Sequence, residues 1–282
     1  MLKKLSLLTA IALSSSVFSQ KIKINEFHVS SGTASMNLPE GSLEDFKILA
    51  PNSVILTKDF SQFNQGYFNP MGFRYGMNQS SMYSLQLGLQ CAKMPKATFR
   101  IGITHLSNYG LLSARGGYSV SAPYDTLTSS QTGQQTFLDT TYTKSYDLNY
   151  SNQQLRLDGA VIFRMFPEKR WSLHAGLGAS IGYSYRSNTN IRYSEYSGAG
   201  YFSSYSGSYT SEQETYKNKN SLGASLYIPL GIDFGIGKKR SFWMPFHIYL
   251  ETRPSLNINS ISNLGTTFSP GMSSALGLRI KI

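Results

Sequence analysis

The chain has 282 residues, with 26 Lys and Arg against 15 Asp and Glu for a formal charge of +11. Its basic residues are scattered among turns and strands rather than gathered into a stripe, which argues against a nucleic-acid partner. A single cysteine, Cys91, excludes an internal disulfide, and no Cys/His cluster or Gly-rich phosphate loop is present, so neither metal nor cofactor is implied.

Lys3 and Lys4, the apolar run from Leu5 to Ser14, and Val17-Phe18-Ser19 before Gln20 form a signal-peptide pattern. Cleavage is expected after Ser19, which makes residues 1–19 the signal. Residues 20–70 read as an N-terminal segment holding weak strand candidates at Lys21 to Val29 and Ser53 to Lys58. Between them, Ser42 stands at a capping position, Asp45 three residues on, and Pro51 at the end, which predicts one or two helical turns.

From residue 71 to 282 a period of two takes over. Tyr83, Leu85, Leu87, Leu89 and Cys91 alternate with polar or small residues, as do Phe99, Ile101 and Ile103, and Leu155, Leu157, Gly159, Val161, Phe163 and Met165. The series continues through Trp171 to Tyr185, Leu222 to Ile236, Phe242 to Leu250 and Leu276 to Ile282. Seven strands follow, each with one apolar face. Several exceed the usual five or six residues of soluble strands. Tight turns at Lys93 to Lys96, Pro167 to Arg170 and Gly237 to Ser241 alternate with long polar segments over 108–150 and 186–221. Phe99, Phe166, Trp171, Phe234 and Phe242 cluster near the turns as an interfacial girdle would. Pro229 and Pro245 fall inside predicted strands and imply bulges.

On these features the chain resembles the small Gram-negative outer-membrane β-barrel proteins, with Ile282 where that family usually ends in an aromatic. The resemblance implies an all-β, antiparallel transmembrane barrel with short periplasmic turns and long extracellular loops. An upward strand must precede Tyr83 to close an even count. Eight strands are expected, or ten if the Tyr-rich loop forms its own membrane hairpin. The expected location is the outer membrane, as a monomer among lipid and lipopolysaccharide, with an extracellular or envelope protein as the further partner.

Strand parity turns Arg100, Arg156, Asp158, Arg164, Asp233, His247, Glu251, Arg253, Arg279 and Lys281 inward, as a charge network filling the lumen or as an anion-selecting lining. Inward glycines, among them Gly88, Gly178, Gly182, Gly231 and Gly277, suggest free space. Part of residues 20–70 is expected to occupy it, so that deleting Leu38 to Asn52 would raise conductance. Tyr193, Tyr196, Tyr201, Tyr205 and Tyr209 lie among Ser and Gly, a composition suited to binding loops.

Thr104-His105-Leu106-Ser107-Asn108-Tyr109-Gly110 resembles the His-x-Ser-Asn stretch of the lipid A deacylase barrels. The resemblance implies His105 as general base, Ser107 as nucleophile and Asn108 in the oxyanion hole. That family carries an orienting acid about a dozen residues beyond the Ser. Here the neighbourhood reads Tyr118-Ser119-Val120-Ser121, and Asp125 and Asp139 are the first candidates. Three functions are thus expected in order: a non-catalytic barrel presenting binding loops, a lipid A deacylase-like esterase, and a small anion-preferring pore.

Overall fold

The computed structural model describes residues 22–282 except 38–39, 66–76, 92–93, 95–96, 168, 200–206 and 238–241. The expected signal peptide, Tyr201 and Tyr205 therefore lie outside the described residues. Eight strands form the wall: β1 (Ile22–Asn37), β2 (Met77–Cys91), β3 (Ala97–Thr128), β4 (Gln135–Met165), β5 (Trp171–Ala199), β6, β7 (Phe246–Ile261) and β8 (Gly265–Lys281). Strand β6 runs in three pieces, Gly207–Asn218, Leu222–Tyr227 and Leu230–Gly235, all antiparallel to β5. Its last break falls at Pro229, which has no N–H to donate. Pro245 instead lies in the turn before β7, so the strand expected from Phe242 starts at Phe246.

Each strand pairs antiparallel with its neighbour, and β1 pairs with both β2 and β8. The sheet therefore closes on itself, and among the described residues no wall strand keeps a free edge through the barrel. Of the two candidates for the missing strand, the first became β1. Ser53 to Lys58 instead holds a 3-10 turn at Ile55–Thr57.

The barrel is inside-out relative to a soluble domain. Leu85, Ile101, Ile103, Leu157, Leu177, Ile181, Leu226, Leu250 and Leu276 are exposed on its outer surface, while Glu26, Arg100, Glu251 and Arg279 are buried within. Alternation produces both faces from one strand, because successive side chains point to opposite sides.

The long polar segments expected as loops are mostly strand. β3 and β4 pair continuously, apart from bulges, up to Thr128↔Gln135, and β5 and β6 pair up to Gly198↔Gly207. Since β4 and β5 also pair from Thr140↔Ala199 downward, the four upper ends make one sheet, here called the blade. It leaves the barrel above bulges near Ser107 and Leu111 of β3 and opposite Gln153 of β4. The described part of the Tyr-rich segment thus belongs to the paired upper ends of β5 and β6 and, among the described residues, adds no wall strand.

The inner face of the blade is covered by the N-terminal segment. Helix α1 (Leu43–Leu49) has the expected capping box, with Asp45 N–H donating to Ser42 Oγ at 3.2 Å and Ser42 N–H to Asp45 Oδ2 at 2.8 Å. Phe46, Leu49, Ile55 and Leu56 from this cap pack with Leu111, Leu148, Tyr150 and Ile191 from the strands.

Candidate functional site

The lumen is built from inward side chains of the wall strands, β2 among them with Ser84 and Gln86. Glu26 of β1 accepts both terminal nitrogens of Arg164 (2.6 and 2.9 Å), one from Arg279 (2.8 Å), and faces His28 at 3.1 Å. Asp233 of β6 accepts from Arg279 and lies against His247 Nδ1, each at 2.7 Å. Glu251 of β7 holds Arg100 at 2.5 Å, Arg253 at 2.6 Å and His174 at 2.8 Å. Higher up, Arg156 donates to Gln154 at 2.9 Å, and Asp158 lies buried nearby. Parity thus found most of the network. Parity does not reach Glu26 and His28, because the register of β1 shifts between Ile24 and Glu26, or His174, which stands in a face otherwise of Ser and Gly.

The inward glycines do not leave free space. An added Cβ would stand 2.7 Å from the Glu26 side chain at Gly88, 2.4 Å from the Tyr227 ring at Gly178 and 2.4 Å from the Tyr249 ring at Gly277. They make room for large neighbours, and those neighbours fill the lumen. Between network and cap a cavity of about 40 Å³ remains, lined in part by Thr104, Tyr109, Arg156, Asp158, Tyr227 and Arg253. That is room for a few water molecules. The N-terminal segment therefore closes the loop end, not the lumen, contrary to the expectation of a plug inside the barrel.

The tyrosines expected to bind separate by parity. Tyr193 points inward, buried at 5 %, under Lys58 at 4.1 Å from its ring centroid, with Phe60 and Phe63 beside it. It anchors the cap and is not available as a binding residue. Its hydroxyl donates to Glu195 at 2.6 Å and, with Lys144 at 3.2 Å, holds that carboxyl below the usual range. Tyr196 and Tyr209 are register partners exposed on the outer face, where Arg192 donates to the Tyr209 hydroxyl at 2.8 Å.

His105 and Ser107 share the outward face of β3, as strand geometry requires. The His105 Nε2, however, is within 2.8 Å of the Tyr185 hydroxyl, and its ring stacks toward Tyr83. Asn108 is a bulge residue with φ 54°. Asp125 lies 20 positions farther along β3, and Asp139 pairs with Pro123. At about 3.3 Å per residue, both acids stand roughly 60 Å from His105 along the strand. At that separation neither acid completes a triad with His105 and Ser107. Ser107→Ala and His105→Ala should leave fatty-acid release from lipid A at the background of a no-protein control. Release by the wild type that Ser107→Ala abolishes would overturn this.

The closed ring, charged interior and apolar outer surface define an outer-membrane-type β-barrel of eight wall strands. No family model matches the chain, and no curated protein does. Among solved structures it is similar to Neisserial surface protein A (NspA), at 9% identity and TM-score 0.35, over 93% of this chain and 100% of that one. It is also similar to Ail, the attachment invasion locus protein of Yersinia pestis, at 11% identity and TM-score 0.28, over 92% and 100%. A third is OmpT, an outer membrane protein of Vibrio cholerae, at 11% identity and TM-score 0.14, over 89% and 76%.

Proposed function

We propose that the chain sits as a monomer in an outer membrane, keeps its lumen closed, and serves as a rigid mount for the blade, whose outer face binds a protein partner at the cell surface. The observation that carries this reading is the blade itself. Its strands continue far past the apolar band, and the cap braces only the inner face. That leaves Tyr196, Tyr209 and Arg192 outside on a stiff sheet. Amphipathic rings on a rigid support lose little entropy on binding. A filled lumen argues against the pore, and an imidazole engaged by Tyr185 argues against the esterase.

Two measurements test it. The purified chain in detergent should migrate faster unheated than boiled, because a closed barrel resists detergent; recovery as a soluble protein would end the membrane reading. A photo-crosslinking residue at Tyr209 in intact cells should capture a protein, and Tyr196→Ser should reduce the yield severalfold. The same probe at Leu177, on the apolar band, should capture none. Equal capture at both positions, or none at Tyr209, would overturn the binding role.

A further inference from the structure

The cavity between the lumen network and the cap borders two charges that the network leaves unmatched. Arg100, Arg164, Arg253 and Arg279 each pair with Glu26, Asp233 or Glu251. Among the described lumen arginines, Arg156 alone has no carboxylate partner. It is 7% exposed, and its bonds go to neutral oxygens of Gln154 at 2.9 Å and Ser225 at 3.4 Å. Its Nη2 has no partner. Among the described lumen carboxylates Asp158 is the counterpart, buried and with its Oδ2 unpartnered. Both side chains line the cavity of about 40 Å³. A buried polar atom left unsatisfied at the wall of a cavity calls for an occupant, water or ion.

Charge balance selects the occupant. Arg164 and Arg279 are matched by Glu26 and Asp233, but Glu251 alone answers both Arg100 and Arg253. Arg253 also lines the cavity. With Arg156 set against Asp158, one positive charge in the described lumen has no counterpart. Neutral His28, His174 and His247 do not change this, and their protonation would enlarge the excess. A cation in the cavity would double it, whereas a monovalent anion cancels it. Donors are at hand beside Arg156 Nη2. The Tyr227 hydroxyl is buried without a partner, and the Ser180 and Ser225 hydroxyls share one bond at 2.8 Å, which leaves one of their protons over.

We propose that the cavity is a binding site for one halide-sized anion, held between Arg156 and Arg253 as the missing counter-charge of the lumen network. At about 10–15 Å³ for each water-sized occupant, the space takes one such ion and a water or two. Asp158 Oδ2 faces the same space and opposes the ion. A water that donates to both the carboxylate and the halide satisfies the one and shields the other. The occupant stabilises the barrel because a buried guanidinium is costly until its charge is answered. The site lies beneath the cap, inside the ring of strands, and does not depend on the blade or its partner.

The test uses the full chain folded in detergent without halide, with sodium gluconate holding the ionic strength constant and chloride and bromide as probes. At a fixed urea concentration, the ratio of folded to unfolded chain should rise about tenfold or more with chloride and then level off, because an ion bound only by the folded state stabilises it by mass action. Gluconate is too large for the cavity and should have no such effect. Crystals grown in bromide should show anomalous scattering beside Arg156. Arg156→Met should abolish both signals while the unheated form still migrates fast. Asp158→Asn keeps the test open should that variant not fold: it removes the opposing carboxylate, so half-saturation should need severalfold less chloride. A wild type indifferent to chloride would overturn the site, and a bromide signal without that dependence would mark an adventitious ion only. Chloride dependence that survives Arg156→Met, or that Asp158→Asn leaves unmoved, would overturn it as well.

Discussion

Replacing Glu251 with Gln should destabilise the barrel by about 3–5 kcal/mol, the usual cost of removing one partner from a buried charge network. The carboxylate is 1% exposed and accepts from Arg100, Arg253 and His174, which come from β3, β7 and β5. An amide of the same shape leaves two guanidinium groups facing a neutral oxygen. Their desolvation then goes uncompensated. Urea unfolding of the detergent-folded chain, followed by the heat-modifiable band, measures the effect. Lys47→Ala is the control, since it breaks an exposed pair with Glu44 worth at most about 1 kcal/mol. If the two variants shifted the midpoint equally, the network would not be what holds the lumen.

Phe46→Ala should have the second-largest effect, and in a different place. Phe46 is fully buried between α1 and the strands, so truncation leaves a cavity costing about 3–5 kcal/mol. The ring of wall strands does not depend on the cap, so the loss should appear as detachment. Protease cleavage within 43–63 should accelerate more than tenfold while the barrel band keeps its unheated mobility. Planar-bilayer conductance should not rise, because the charges and rings beneath the cap still fill the lumen. The same holds for deletion of Leu38 to Asn52, where sequence alone suggested the opposite. A stable increase in conductance would show that the cap, not the network, closes the barrel.

How much of this could be read beforehand depended on where alternation kept its phase. In β5 and β8 one face is apolar and the other small or charged, so both strand and facing were legible. In β1 a register shift between Ile24 and Glu26 moves the outward residues from Ile22 and Ile24 to Phe27 and Val29. The phase changes within the strand, and a period-two reading sees only scatter. That one shift hid Glu26 and His28, and with Glu26 the carboxylate that Arg164 and Arg279 share. The blade was missed for another reason. Both of its faces are rich in Ser, Thr, Tyr and Asn, because one is open to solvent and the other meets a cap with polar groups of its own. Composition then resembles a loop, although β-branched and aromatic residues favour strand. The helix was legible because its signal is local, a cap and its partner three residues apart. For the deacylase-like stretch, spacing placed His105 and Ser107 on one face but could not show that the imidazole faces Tyr185.

The seam between β1 and β8 bears on how the molecule comes to exist at all. It joins the first described strand to the last, from Glu26↔Lys281 to Met36↔Gly271, and Arg279 crosses it to reach Glu26. Even the final residue takes part, with Ile282 N–H donating to Asn25 O at 2.9 Å. Contacts separated by some 250 positions are slow to form, since a long loop must be closed before they contribute. Until then β1 and β8 each present an unsatisfied edge, the state most open to wrong pairing. On this argument closure comes late, and a chain lacking β8 would be left as an open sheet.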